Sequence, residues 1–347
     1  MKLKVAGRIA CSLLGLTLVS DTIAVAGQGN VGGQRTFRQP TPVKEVTVTS
    51  ISGVIAAGSQ WTLVWQGPDN ADGIIGTEEG GLLFAQEQPS TVGMLDSNDR
   101  FSIFVRNTRG TGAVAIDSNG RVLGVERTCS DPGGNPDECY ELPELVVLWP
   151  TRETLASKVG DQTFWRMGEV VADAKGGAYF NDNTPGIYYV NAAGDVSLVA
   201  GKEVDTNGLA LSRDEKIVYS TNGNTIVAFD AQADGTTSTQ RTFATLEGGA
   251  RGDGMCIDSE GRLYVTAGDT GIQVFSRQGE HLGSIPLPRS ASSCAFSGPD
   301  KKVLYGKGAG MTGLDGQEYR TPAGVRNNAK AIYKINMIAQ GFLERPK

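Results

Sequence analysis

Residues 207–221, NGLALSRDEKIVYST, and residues 253–267, DGMCIDSEGRLYVTA, carry one pattern twice. A polar residue is followed by Gly, then by alternating apolar residues, a polar turn and a second apolar run. The alternation has the period of two that belongs to strands, and the Asp- and Gly-rich interruptions supply the tight reversals between them. The same frame recurs as DGIIGTEEGGLLFAQ from Asp72, GAVAIDSNGRVLGVE from Gly112, GEVVADAKGGAYFND from Gly168 and SSCAFSGPDKKVLYG from Ser292. Repeats of roughly 40 to 45 residues suit one four-stranded propeller blade each, and only the interval from Gly112 to Gly168 is clearly longer.

Working outward from the Asp253 copy, GMCID reads as an inner strand, LYVTA as its return, IQVFS as a third strand and RQGEHLGSIPL as a fourth. Such a sheet is apolar on both faces and cannot stand alone, so neighbouring copies must stack and the ring must close. The expectation is an all-β, six-bladed β-propeller. The run Trp61–Trp65, ahead of the first copy, is expected to add the outer strand of the last blade beside a third strand at Ala331–Met337. The long interval places an insertion at 127–150, directly after a second strand and so on the face where inner strands begin. It is either a plain surface loop or a lid over the channel mouth.

The composition agrees: the 347 residues are 39% hydrophobic with 47 Gly, and helical apolar periodicity is nearly absent. Residues 1–26 read as a cleavable signal peptide. Lys2, Lys4 and Arg8 precede an apolar run from Ile9 to Val19, and Ala24-Val25-Ala26 offers a small-residue cleavage pattern. Cys11 lies ahead of the apolar run, where a lipidation signal would not put it. Residues 27–41 read as a flexible leader, 42–347 as the propeller, and the expected location is secreted or periplasmic. No later stretch is apolar for the length of a membrane span. Removal of the signal peptide leaves the chain more acidic than its formal −6, so neither nucleic acid nor membrane is expected as a partner.

Cys129 and Cys139 flank SDPGGNPDE, and export makes a disulfide between them an expectation, whereas Cys256 and Cys294 sit in apolar strand patterns as buried thiols. His281, the single histidine, falls in the turn-like RQGEHLG. Histidine triads and multi-histidine zinc sites are therefore excluded, and any hydrolytic chemistry has to run on carboxylates, amides or an ion.

Set in register, Asp72, Gly112, Gly168, Asn207, Asp253 and Ser292 stand at one height around the channel mouth. Singly, each aspartate or asparagine would only open a strand and cap a turn. Together, Asp72, Asn207 and Asp253 form a hard-oxygen donor set for one divalent ion, calcium foremost, with magnesium, manganese or zinc as alternatives.

The segments NGLALSRDEKIVYS and DGMCIDSEGRLYV resemble the paired blade motifs of the gluconolactonase, regucalcin and senescence-marker-protein (SGL) family, over about Trp61 to Tyr305. The resemblance implies a six-bladed propeller with a metal held by Glu, Asn and Asp at the channel mouth. Those roles fall on Asp72, Asn207 and Asp253, and Asp253 inherits the role of general base. Two departures stand out. The family's Glu-Gly-Pro-x-Trp reads Asp72-Gly73-Ile74-Ile75-Gly76, which shortens the first donor and removes an aromatic wall. Its Arg-x-Asn-Asp reads Arg166-Met167-Gly168-Glu169, which keeps the arginine, loses the amide and lengthens the acid. Arg166 and Glu169 are thus candidates for substrate binding, and Glu126, ending the second strand of its blade, is a third.

The leading expectation is a secreted metal-dependent hydrolase that opens a small-molecule lactone or related ester, with metal-activated water and Asp253 as proton acceptor. The alternatives are a non-catalytic metal-containing propeller that binds a small molecule or partner, and other metal-assisted chemistry on the scaffold, such as phosphotriester hydrolysis or isomerisation. Neither the substrate nor the oligomeric state is written in the sequence.

Overall fold

A computed structural model describes residues 43–127, 142–182, 186–201, 203–232, 234–238, 240–310 and 330–343. The expected signal peptide, the leader, and Cys129 and Cys139 lie outside the described residues. The described chain forms six four-stranded antiparallel sheets. Blade one contains β2 (Ile74–Gly76), β3 (Leu82–Gln86), β4 (Thr91–Leu95) and β5 (Phe101–Arg106). Blade two contains β6 (Thr111–Ile116), β7 (Val122–Glu126), β8 (Glu144–Trp149) and β9 (Glu153–Ala156). Blade three follows as β12 (Met167–Ala172), β13 (Ala178–Asp182), β14 (Gly186–Val190) and β15 (Val196–Ala200). Blade four is β16 (Leu209–Leu211) to β19 (Arg241–Thr245), and blade five is β20 (Met255–Ile257) to β23 (His281–Ile285). The first strands of neighbouring blades touch all the way round, β2 to β6, β12, β16, β20, β24 and back to β2. The chain is an all-β, six-bladed propeller, as the repeat predicts.

The ring closes through chain segments far apart in sequence. Blade six takes β24 (Ala291–Ser297), β25 (Val303–Ala309) and β26 (Lys330–Asn336) from one end and β1 (Thr62–Gly67) from the other. Trp65 of β1 then packs on Phe84 and Phe101 of blade one, with ring centroids 4.8 and 6.0 Å apart. The closing strand thereby covers an edge that would otherwise expose unpaired N–H and C=O groups.

Within blades, the turn after each inner strand has a local chemical cause. The Asp117 carboxylate accepts the backbone N–H groups of Asn119 and Arg121, Asp173 those of Lys175 and Gly177, and Asp258 those of Glu260 and Arg262. This Asx-type arrangement reverses the chain in four residues, and Gly261 at φ 80° takes the left-handed conformation the reversal needs. The core lies between blades: β3, β7, β13 and β14 are buried along their whole lengths.

One detail differs from expectation. Glu144–Trp149 is the regular third strand of blade two, paired with β7. The apolar alternation ELVVLW therefore belongs to the blade and not to the insertion. The rest of the long interval is residues 128–141, which lie outside the described residues, and a small hairpin, β10 (Lys158–Val159) with β11 (Gln162–Thr163). Cys256 and Cys294 are buried thiols with sulfurs 3.4 Å apart, on neighbouring inner strands. No helix among the described residues is long and apolar enough to cross a membrane.

Candidate active site at the channel mouth

Asp72, Asn207 and Asp253 each stand just before an inner strand, and each is followed by glycine. The glycines are required by close approach between blades. A Cβ on Gly208 would lie 2.1 Å from the Asp253 carbonyl oxygen, and one on Gly73 2.8 Å from the Ala113 Cα. Gly73 N–H donates to Gly112 O at 3.0 Å and Gly254 N–H to Ser292 O at 3.2 Å, so the donor positions are sewn together by main chain.

The second strands supply another tier of polar side chains at the same end. From blade one comes Glu87, from blade two Arg127, from blade three Asn181 and from blade six Lys307. Arg127 is built into the ring. Its Nε donates to Met167 O at 2.6 Å, Nη2 to Gly168 O at 2.8 Å and Nη1 to Asp72 Oδ2 at 2.7 Å and to Glu87 Oε1. Gly112 makes the room: a Cβ there would lie 2.0 Å from the guanidinium carbon. Lys307, only 2% exposed, donates from Nζ to the other Asp72 oxygen at 3.0 Å. Burial disfavours the Asp72 charge, but Lys307 and then Arg127 outweigh it and hold the carboxyl far below the usual carboxylate range. Glu87 and Asp72 keep the guanidinium charged against its own burial.

Asp253 has the opposite character. Burial pushes its carboxyl up to about 6, Lys307 opposes the shift, and Asp72 and Glu169 add to it. Lys330, at the start of β26, completes the group. Burial and then the neighbouring Lys307 lower it to about 8, while Asp72, Glu87 and Asp253 draw it up. Asn207 is exposed, with its carbonyl accepting from Asn181 Nδ2 at 2.5 Å.

Gly168 leaves space that Asn181 fills, since a Cβ there would lie 2.6 Å from the Asn181 Oδ1. That oxygen accepts the N–H groups of Gly168 and Glu169 at 3.0 and 2.7 Å. The amide absent from position 168 thus reappears in space from the next strand. Glu169 is buried within range of Asp253, and Arg166 reaches within 3.9 Å of Glu87. Glu126 lies elsewhere. Successive strand residues face opposite ways, so with Arg127 directed at the mouth, Glu126 turns away and pairs with Arg152 at 2.7 Å. Sequence reasoning missed Arg127, Glu87, Lys307 and Lys330. Extending the repeat alignment to the mouth ends of the second strands would have found the first three, and Lys330 lies outside the repeated frame.

A family model described as the SMP-30/gluconolactonase/LRE-like region matches residues 64–306. The chain belongs to this family. Among curated relatives, lactonase drp35 of Staphylococcus saprophyticus is 33% identical over 177 residues, 44% of this chain and 53% of the relative. The Staphylococcus aureus protein of that name is 34% identical over 143 residues, 36% of this chain and 43% of the relative. The chain thus spans about half the length of the curated relatives it matches. Among solved structures, a gluconolactonase from Xanthomonas campestris superposes with a TM-score of 0.64 at 18% identity, covering 87% of this chain and 99% of that one. A calcium-binding protein, regucalcin, from Agrobacterium tumefaciens gives 0.60 at 14%, covering 82% and 95%. At these identities the structural likeness shows the propeller.

The family resemblance implies a divalent ion, which would fall to Asp72, Asn207 and Asp253. The side chains as arranged do not fit one. A hard dication needs free oxygen lone pairs at about 2.0 to 2.6 Å. Both Asp72 oxygens already accept from cations, at 2.7 and 3.0 Å. At roughly 4 Å and an effective dielectric constant of about 20, an ammonium and a dication repel by about 8 kcal/mol.

Proposed function

We propose that this chain opens a lactone or related ester at the channel mouth, with Asp253 as the proton acceptor. The observation that carries the reading is the Asp253 carboxyl itself. It stands at the ring position of the family's acid, raised to about 6 by burial, beside Lys307. A carboxylate of that basicity is largely ionised at neutral pH yet basic enough to take a proton from water. Membership of the family and the lactonase relatives support the substrate class.

Water attacks the carbonyl carbon as Asp253 takes its proton. The carbonyl electrons pass to oxygen, and the oxyanion is stabilised by the ammonium of Lys330, which makes no hydrogen bond or ion pair among the described residues. Collapse breaks the acyl–oxygen bond, and Asp253 returns the proton to the leaving alkoxide, giving the hydroxy acid. Glu169, whose charge acts on Asp253, and Arg166, 3.9 Å from Glu87, would orient the substrate. Metal-activated water is left out of the scheme because Asp72 is committed to two side-chain cations. Export to a periplasmic or extracellular location is part of the proposal on the strength of residues 1–26 alone.

The test is a pH-stat assay over aldonolactones, aliphatic lactones and aryl esters with wild type and Asp253→Asn. Turnover on at least one class that the substitution abolishes is expected. Equal turnover by the folded variant, or no turnover on any class, would overturn the reading.

A further inference from the structure

We infer that the channel mouth of this chain is a metal-free version of its family's site, in which the Lys307 ammonium, pinned to Asp72 and facing Asp253, stands in for the divalent ion. The inference concerns the same site as the proposed lactone opening but holds whether or not the mouth opens lactones.

Lys307 occupies an Asp72 oxygen that an ion at this position would need. Its Nζ is 3.0 Å from Asp72 Oδ1, and its charge opposes the upward shift of the Asp253 carboxyl. The ammonium is almost wholly buried, so it is not a surface lysine that happens to fold inward. It enters from β25, in blade six, and bonds an acid in blade one, so the contact spans the seam of the ring.

The first donor is also engaged by a second cation. Asp72 stands where the family resemblance has Glu, and the shorter side chain is held from behind by Arg127. That arginine cannot be swung aside cheaply. Its nitrogens are committed to two carbonyl oxygens and two carboxylates, and the missing Cβ at Gly112 is the space its guanidinium fills. Releasing Asp72 for an ion would leave buried donors unpaired on both sides.

Charge balance points the same way. The acids Asp72, Glu87, Glu169 and Asp253 meet the cations Arg127, Arg166, Lys307 and Lys330 in equal number. Lys307 and Lys330 together supply the two positive charges that a dication would bring. A divalent ion added to this set would be uncompensated in a partly desolvated site, whereas a mouth without the two lysines would need it.

The experiment measures ions and not turnover. Full-length mature protein purified without chelator is analysed for metal content, then dialysed and titrated calorimetrically with Ca²⁺, Mg²⁺, Mn²⁺ and Zn²⁺ near neutral pH. Wild type is expected to carry substoichiometric metal and to show no saturable site that Asp253→Ala removes. Lys307→Met keeps the apolar stem but frees an Asp72 oxygen, and is expected to bind at least one of the ions about tenfold or more tightly than wild type. One equivalent of ion in wild type, lost in Asp253→Ala or Asn207→Ala, would overturn the inference. So would a folded Lys307→Met that binds no better than wild type. If Lys307→Met does not fold, the wild-type ion content and titrations decide alone.

Discussion

Lys307 Nζ donates to Asp72 Oδ1 at 3.0 Å across the seam where the ring closes. Two residues more than two hundred positions apart thus neutralise each other at the place where the family resemblance puts a metal. Asp253, a neighbour of both, is left as the carboxyl with a raised affinity for protons.

Replacing Asp253 with Asn should remove turnover without unfolding the protein. The amide occupies the same volume but cannot accept a proton near neutral pH, so kcat should fall by roughly 10²- to 10⁴-fold. Because the native carboxylate is disfavoured by its surroundings, the melting temperature at pH 7 should stay the same or rise. Steady-state kinetics and thermal unfolding on one preparation separate the two effects.

The pH profile of kcat/KM should be bell-shaped. The acid limb follows Asp253, which must lose its proton near pH 6 in the field of Lys307, Asp72, Glu169 and Arg251. The alkaline limb follows Lys330, whose charge is lost near pH 8 beside Lys307, Asp72, Glu87 and Asp253. Lys330→Met should lower the plateau and erase the alkaline limb. Folding stability carries opposite signs for the two aspartates. The raised Asp253 contributes stability that is complete below 3.8 and lost as pH rises through about 6. The lowered Asp72 contributes stability that is present above 3.8 and lost as pH falls.

Arg127→Met should be costly to the fold. It strands Asp72 and Glu87 together and leaves the Met167 and Gly168 carbonyls without their donor. Removing one partner of a buried ion pair costs about 3 to 5 kcal/mol. Urea denaturation would read it as a lower midpoint with an unchanged slope. Gly112→Ala, which drives a methyl into the guanidinium, should shift the midpoint in the same direction.

A bridge between Cys129 and Cys139, which lie outside the described residues, is expected from export and from the polar segment between them. It would contribute roughly 2 to 3 kcal/mol on the chain-entropy model. In oxidised, denatured mature protein, Cys256 and Cys294 should be the thiols that react, with mass analysis giving the pairing. Reaction of Cys129 and Cys139 as well would exclude the bridge.

Legibility in the sequence followed the range of the interaction. The turn carboxylates Asp117, Asp173 and Asp258 act within four residues, so the blades were readable at a glance. The partnership of Trp65 with the last blade was readable too, because an unpaired strand ahead of the first repeat has one place to go. The alternation of a strand is legible while its phase at the last residue is not, and at the end of β7 it is Arg127 that bonds Asp72 while Glu126 pairs with Arg152. ELVVLW, Glu144–Trp149, lies within the long interval yet pairs with β7 as a blade strand, a partnership its own alternation does not specify.

The repeated frame by itself determined the fold, the channel and the height of Asp72, Asn207 and Asp253, since periodic burial is a local property of each segment. What those residues face was decided only by the closed ring. Lys307 reaches Asp72 across the blade-six seam, and Arg127 does so through the gap left by Gly112. Electrostatic character depends on distance in space and on desolvation, neither of which a repeat records. The same aspartate can therefore read as an ion ligand in one dimension and stand as half of an ion pair in three.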